Sequence, residues 1–158
     1  MSRKDPSGGL LVSPIRNGTV IDHITAGEAL NVLRILGITG STRECLSIAT
    51  NVESKRLGKK DIVKIENREL CKEEVDRIAL IAPQAKINII RDYQVVEKKG
   101  VMIPKVLKGV VRCPNPGCIT NTSEPVESTF EVLEKGLHCL YCDWLIKKND
   151  IANYINVV

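Results

Sequence analysis

An α+β fold in two unequal parts is predicted for this 158-residue chain, and three observations predict it. Over the first hundred residues the hydrophobic pattern changes in the order strand, helix, two strands, helix, strand. That is the succession of a ferredoxin-like split βαβ sandwich, an antiparallel sheet with two helices on one face. In the last third, Cys113, Cys118, Cys139 and Cys142 form two knuckles, Cys-x4-Cys and Cys-x2-Cys, which read as a small zinc-ribbon-like β domain. Between the two parts, Gly100 to Pro104 punctuate the chain as a linker. The expected domains are residues 1–103, with 1–9 as a mobile polar arm, and residues 104–158.

Taken in order, Leu10 to Ile15 is apolar enough for a strand, and Gly18 marks a turn or bulge before a strand over Thr19 to Ile24. In an extended chain Val20, Asp22 and Ile24 share one face, with Ile21 and His23 opposite, so Asp22 and His23 point apart. Thr25 opens a helix with a capping-box pattern, since Glu28 stands three positions on. Ala26, Ala29, Leu30, Leu33 and Leu36 make its apolar stripe, and Gly37 is a left-handed stop. Ser41 to Val52 and Gly58 to Asn67 flank a charged turn as a hairpin, with Lys60, Ile62, Lys64 and Glu66 on one face. Lys72 to Ala82 is a second helix, burying Val75, Ile78, Ala79 and Ala82 and closed by Pro83. Lys86 to Lys98 holds a final strand with a bend near Asp92 and Tyr93. In the second part, Val106 to Val111, Thr129 to Leu133 and Leu137 to Leu140 read as strands, and Asn149 to Ile155 as a short last helix. Trp144 and Ile146 are expected to cover the cysteine site.

Composition narrows the class. Hydrophobic residues are 43% and aromatic residues only 3%, so the core must be aliphatic. No apolar run approaches the roughly 18 residues of a spanning helix, and residues 1–9 lack the apolar segment of a signal peptide. A cytoplasmic protein without membrane association is expected. Thiols stay reduced there, so six cysteines point to a metal plus spare thiols at Cys45 and Cys71. Residues 104–158 carry six basic and six acidic side chains, so the whole net charge of +4 lies in the first part. With four thiolates and one divalent ion the second part falls to −2, a poor polyanion binder.

Four thiolates close the coordination of a tetrahedral ion and leave no position for a reactive water, so one structural zinc per chain is expected rather than a hydrolytic centre. Redox cycling of Cys139 with Cys142 is the alternative, separated from zinc by metal analysis. On spacing alone Lys60, Lys64 and Lys98 would be ordinary solvated lysines. With no phosphate-binding glycine loop, no nucleophile elbow and only two histidines, His23 and His138, the chain is not expected to be an enzyme. A zinc-ribbon nucleic-acid-binding protein is the rival class, opposed by the neutral cysteine half and by the scarcity of aromatics for base stacking.

Specific strings sharpen this. Gly18 to Ile24 (Gly-Thr-Val-Ile-Asp-His-Ile), Gly58 to Asn67 (Gly-Lys-Lys-Asp-Ile-Val-Lys-Ile-Glu-Asn), Ala82 to Ala85 (Ala-Pro-Gln-Ala) and Tyr93 to Val96 (Tyr-x-Val-Val) resemble the regulatory chain of aspartate carbamoyltransferase. So do Cys113 to Ile119, Glu124 to Val126 and Cys139 to Cys142. The match runs in register from about Leu11 to the second knuckle and is looser over Gly37 to Leu57. The resemblance implies a non-catalytic subunit: a nucleotide-binding allosteric domain followed by a zinc domain that grips the catalytic chain, with regulatory dimers bridging catalytic trimers in control of pyrimidine synthesis. It implies CTP, UTP and ATP as effectors, contacted at Ile15, Asp22, His23, Lys60, Ile62, Lys64, Asn88, Tyr93, Val95 and Lys98. Lys98 and His23 suit phosphate oxygens, Asp22 and Lys64 suit ribose hydroxyls and the base edge, and Ile15 with Tyr93 suits base recognition through nearby backbone groups.

Overall fold

The computed structural model describes residues 14–38 and 43–156, and its chain contacts divide into two units, residues 1–102 and 103–158. The expected strand at Leu10 to Ile15 falls, apart from Pro14 and Ile15, outside the described residues, as does the expected arm.

The first unit is built from β1 (Gly18–Thr25), α1 (Ala29–Ile35), β2 (Leu46–Ser54), β3 (Gly58–Glu66), α2 (Lys72–Ile81), β4 (Lys86–Arg91) and β5 (Gln94–Gly100). Its antiparallel sheet has the order β2-β3-β1-β4-β5, the split βαβ arrangement with one further strand at the edge. One face of the three inner strands, with Ile21, Val63, Ile65, Ile87 and Ile89, is closed off from solvent together with Val32 and Leu33 of α1 and Val75 and Ile78 of α2. Burial of these aliphatics supplies the core, at roughly 1.5–3 kcal/mol for each large side chain.

Three expectations are corrected here. Thr25 ends β1 instead of capping a helix, and α1 begins only at Ala29. The amides of Gly27 and Ala29 donate instead to the buried carboxylate of Asp61 on β3, both at 3.0 Å, so the helix start is satisfied from the sheet. This later start rotates the stripe: Ala29, Val32, Leu33 and Ile35 are inside, whereas Leu30 is 70% exposed. Next, the run from Lys86 is two strands. Asp92 and Tyr93 both take positive φ, 50° and 64°, which is the signature of a tight two-residue hairpin turn. The Tyr93 amide donates to the Arg16 carbonyl at 2.9 Å and the Asp92 amide to Asn17 Oδ1 at 3.2 Å, which ties the turn to the entry of β1.

The third correction concerns β1 itself. Its register against β3 shifts between Ile21 and Ile24, and His23 sits at φ 56°. This bulge cancels the strict alternation, so Asp22 and His23 do not point apart: His23 Nδ1 lies 3.6 Å from Asp22 Oδ1. At the other end of β1, Gly18 (φ 142°) has to be glycine, because a Cβ there would stand 2.0 Å from the Ile65 carbonyl oxygen.

The second unit is a four-stranded antiparallel sheet, β6 (Val106–Lys108), β7 (Thr129–Leu133), β8 (Gly136–Cys139) and β9 (Leu145–Lys147), in that order. β6 is shorter than expected, and Val111 makes an isolated bridge to Ile155. The final segment is a 3-10 helix, Lys148–Asn153. Leu107, Val111, Phe130, Leu137, Ile146, Ile151 and Ile155 are buried, a smaller core than that of the first unit.

Candidate functional site

In the second unit the two knuckles bring four sulfurs together. Cys113 Sγ lies 3.5 Å from Cys142 Sγ, Cys118 Sγ lies 3.8 Å from Cys139 Sγ, and all four fall within 4.8 Å of one another. A tetrahedron with 2.3 Å zinc–sulfur bonds has edges of about 3.8 Å, so the spacing fits a single ion. The closest sulfurs belong to different knuckles, which is the arrangement of a shared ion. Backbone and side-chain donors converge on the sulfurs. Burial pushes the Cys113 thiol up, opposed by the Asn115 amide, and burial likewise pushes Cys139 up. At Cys142 burial is overcome by hydrogen bonds from the Asn115 side chain and the Trp144 amide, which bring its pKa to about 7. Ile146 is buried as expected, while Trp144 stays 45% exposed.

Sequence reasoning missed the supports of this centre. Asn121 donates to the carbonyls of Cys113 at 2.8 Å and Asn115 at 2.7 Å, locking the first knuckle. His138 is bracketed by Asp143 at 2.8 Å and Glu131 at 3.4 Å, which hold its pKa above the usual histidine value. A capping asparagine three residues after Cys118 was the available signal for the first. The second depends on the β7–β8 register, in which Glu131 faces His138.

In the first unit the face of the sheet opposite Val63 and Ile65 carries the polar candidates. The register lines up Ser47, Lys64, Val20, Asn88 and Lys98 in one row across all five strands. One step along, Asp22 faces Lys86, which faces Gly100. Asp22, His23, Asn88 and Lys98 line a cavity of about 410 Å³ with Lys86, Lys99 and Gly100. Ile15 and Ile62 pack with Val20 and Ile90, and Val95 lies against that cluster. Of the ten positions singled out, Tyr93 stands apart, 67% exposed at the hairpin turn.

Lys60 and Lys64 are not solvated lysines: they are 7% and 2% exposed. Lys60 Nζ is 2.8 Å from Asp22 Oδ1, and the His23 amide donates to the same oxygen at 2.7 Å. Burial disfavours the Asp22 carboxylate, but these two hydrogen bonds outweigh it and hold its pKa below the usual range. Burial also lowers His23, only partly offset by the Asp22 charge, so its imidazole is neutral near pH 7. Nδ1 of His23 is buried without a hydrogen-bond partner among the described residues. Burial lowers Lys64 too, with Asp22 acting against it. The face is thus a buried, hydrogen-bonding floor with a cationic rim.

Comparison with known proteins assigns the two units separately. Residues 10–102 match the family described as aspartate carbamoyltransferase regulatory chain, allosteric domain, and residues 105–152 match the metal binding domain of the same chain. The class is therefore an allosteric regulatory subunit, non-catalytic, with a metal-binding domain. The chain belongs to the family of aspartate carbamoyltransferase regulatory chains. It is 88% identical over 155 residues to the one from Methanoculleus marisnigri, covering 98% of this chain and 99% of the relative. The regulatory chain of Methanosphaerula palustris is 70% identical over 147 residues, covering 93% and 94%. That of Haloquadratum walsbyi is 54% identical over 156 residues, covering 99% and 88%. Membership implies a catalytic chain as partner. Among the described residues no helix is long and apolar enough to cross a membrane.

Proposed function

We propose that residues 1–103 bind the nucleotides CTP, UTP and ATP on the open face of the sheet, and that residues 104–158, folded around zinc, dock on the catalytic chain and pass the signal on. The chain would thereby regulate pyrimidine biosynthesis in the cytoplasm as a regulatory homodimer joined to catalytic subunits. The observation that carries the reading is the common cavity of Asp22, His23, Asn88 and Lys98, floored by the Lys60–Asp22 pair.

Each residue has a task there. Lys98 on the rim offers an ammonium to phosphate oxygens, and the His23 imidazole, which lines the same cavity, offers a second polar group. Asp22, ionised and held by Lys60, accepts from ribose hydroxyls. Lys64 and Asn88, on either side of Val20 in the row, present donors to the sugar and base edge. Ile15, Ile62 and Val95 supply the apolar wall against which a base can lie. Tyr93, at the exposed turn, reaches a base only by closing over it.

Cys113, Cys118, Cys139 and Cys142 hold the zinc, whose binding supplies folding free energy to a unit with a small core. Regulation then needs only that the nucleotides bind two quaternary states of the assembly unequally, with a coupling of about 1–3 kcal/mol. The segment from Gly100 to Lys105 carries the displacement between the parts. Calorimetric titration of CTP and ATP into wild-type protein and Lys98→Ala tests the site. The variant should bind both nucleotides about tenfold more weakly, as for loss of one charge-assisted hydrogen bond. Equal affinities would remove Lys98 from the phosphate site.

A further inference from the structure

Lys86 lines the same cavity as Asp22, His23, Asn88 and Lys98, although the family resemblance does not count it among the effector contacts. We propose that Lys86 is a specificity-determining residue that reads the length of the phosphate chain, so that the cavity takes nucleoside triphosphates in preference to monophosphates. This rests on the nucleotide reading of the site given above.

Register puts the side chain in position. Lys86 pairs with Asp22 on β1 and with Gly100 on β5, while Lys98 pairs with Asn88, two residues along β4 from Lys86. Lys86 and Lys98 are thus diagonal neighbours on one face, about 7–8 Å apart at the backbone. A Cβ on Gly100 would meet Lys86 Nζ at 3.5 Å, so the lysine leans over the glycine toward the strand that carries Lys98. Gly100 is not among the positive-φ positions, so what the glycine provides is room.

The charges around the cavity show which cations are available. Asp22 is held by Lys60 at 2.8 Å, and Lys99 leans to Glu97 at 3.6 Å. Among the described residues neither the Lys86 nor the Lys98 ammonium makes a hydrogen bond or ion pair. Two ammonium groups without an acidic partner among the described residues therefore flank a cavity that His23 also lines. A single phosphate is served by Lys98 and His23. A chain of three phosphates carries more charge over a greater span, which the second ammonium matches.

The test is calorimetric titration of CTP and CMP, at fixed ionic strength, into the wild-type 158-residue chain, Lys86→Ala and Lys59→Ala. Lys59 is exposed outside this cavity and controls for the loss of one positive charge. Lys86→Ala should weaken CTP on the order of tenfold while CMP changes by no more than about twofold, and Lys59→Ala should leave both affinities in place. The inference is overturned if CTP binds Lys86→Ala as it binds wild type, if CTP and CMP fall together, or if Lys59→Ala reproduces the effect. Failure of both nucleotides to bind wild-type protein would remove the nucleotide reading itself. Normal CTP binding with an inert Lys86 would leave that reading standing and remove only the role of Lys86.

Discussion

Asp22 gathers more of the candidate site than any other residue, because one of its oxygens meets both the Lys60 ammonium and the His23 amide in a buried setting. Removing one partner leaves a buried charge alone, so Lys60→Met should cost about 3–5 kcal/mol in urea unfolding. The pH dependence follows from the direction of the shift. A carboxyl whose folded pKa lies below its unfolded value of about 3.9 contributes stability that is present above that value and lost as pH falls through the folded one. The cost of Lys60→Met should therefore be full near neutral pH and shrink as pH falls through the folded pKa of Asp22, a narrowing readable by urea unfolding at successive pH values. For ligand binding at His23 the pH dependence runs the other way. Its folded pKa is below about 6.5, and a phosphate beside it would raise it, so CTP binding should take up a proton. Affinity should rise as pH is lowered from 8 to about 6, and buffers of different ionisation enthalpy in calorimetry should report the uptake. A pH-independent affinity would place the phosphates away from His23.

Between elements, Arg68 and Asp61 hold the helices to the sheet. Arg68 donates to the Leu36 carbonyl at the end of α1 at 3.0 Å and pairs with Glu74 in the first turn of α2. Glu74 is 6% exposed and its other oxygen accepts from the Cys71 amide at 3.1 Å, the contribution of the third helical residue to a capping box at the start of α2. Arg68→Ala strands that carboxylate and should cost about 3–5 kcal/mol in urea unfolding. Asp61 takes the Gly27 and Ala29 amides on one oxygen and the Asn51 amide on the other at 2.8 Å, joining the start of α1 to an irregular point of β2. Asp61→Ala should expose those three amides to fast hydrogen exchange while the β1–β4 ladder stays protected, since only local donors lose their acceptor. Uniform loss of protection across the sheet would mean that Asp61 supports the whole fold instead.

For the whole molecule, the two units should respond separately to metal removal. The second unit has few buried large side chains, so its fold leans on the ion, whereas the first has an aliphatic core of its own. Chelation should abolish the ordered signals of residues 103–158, release the catalytic subunits from the assembly in light scattering, and leave CTP binding within about twofold. An assembly that keeps its mass after the metal is stripped would show that docking does not depend on the four-sulfur fold.

Much of this was legible in the residues. Local signals carried it: cysteine spacing located the metal centre, hydrophobic period located the strands and α2, and the quoted strings located the family and the polar candidates. The sequence by itself determined that four cysteines come together and that their sulfurs suit one ion, because both follow from residue type and near-neighbour spacing, and it nominated the polar candidates of the first unit. Tertiary structure alone decided how they act. The bulge at His23 turns it toward Asp22, the neighbouring strands bury Lys60 and Lys64, and Asp61 moves the start of α1 from Thr25 to Ala29. Each of these depends on which strand lies beside which. A one-dimensional period carries no record of that register, and the register sets burial, charge pairing and the shape of the cavity.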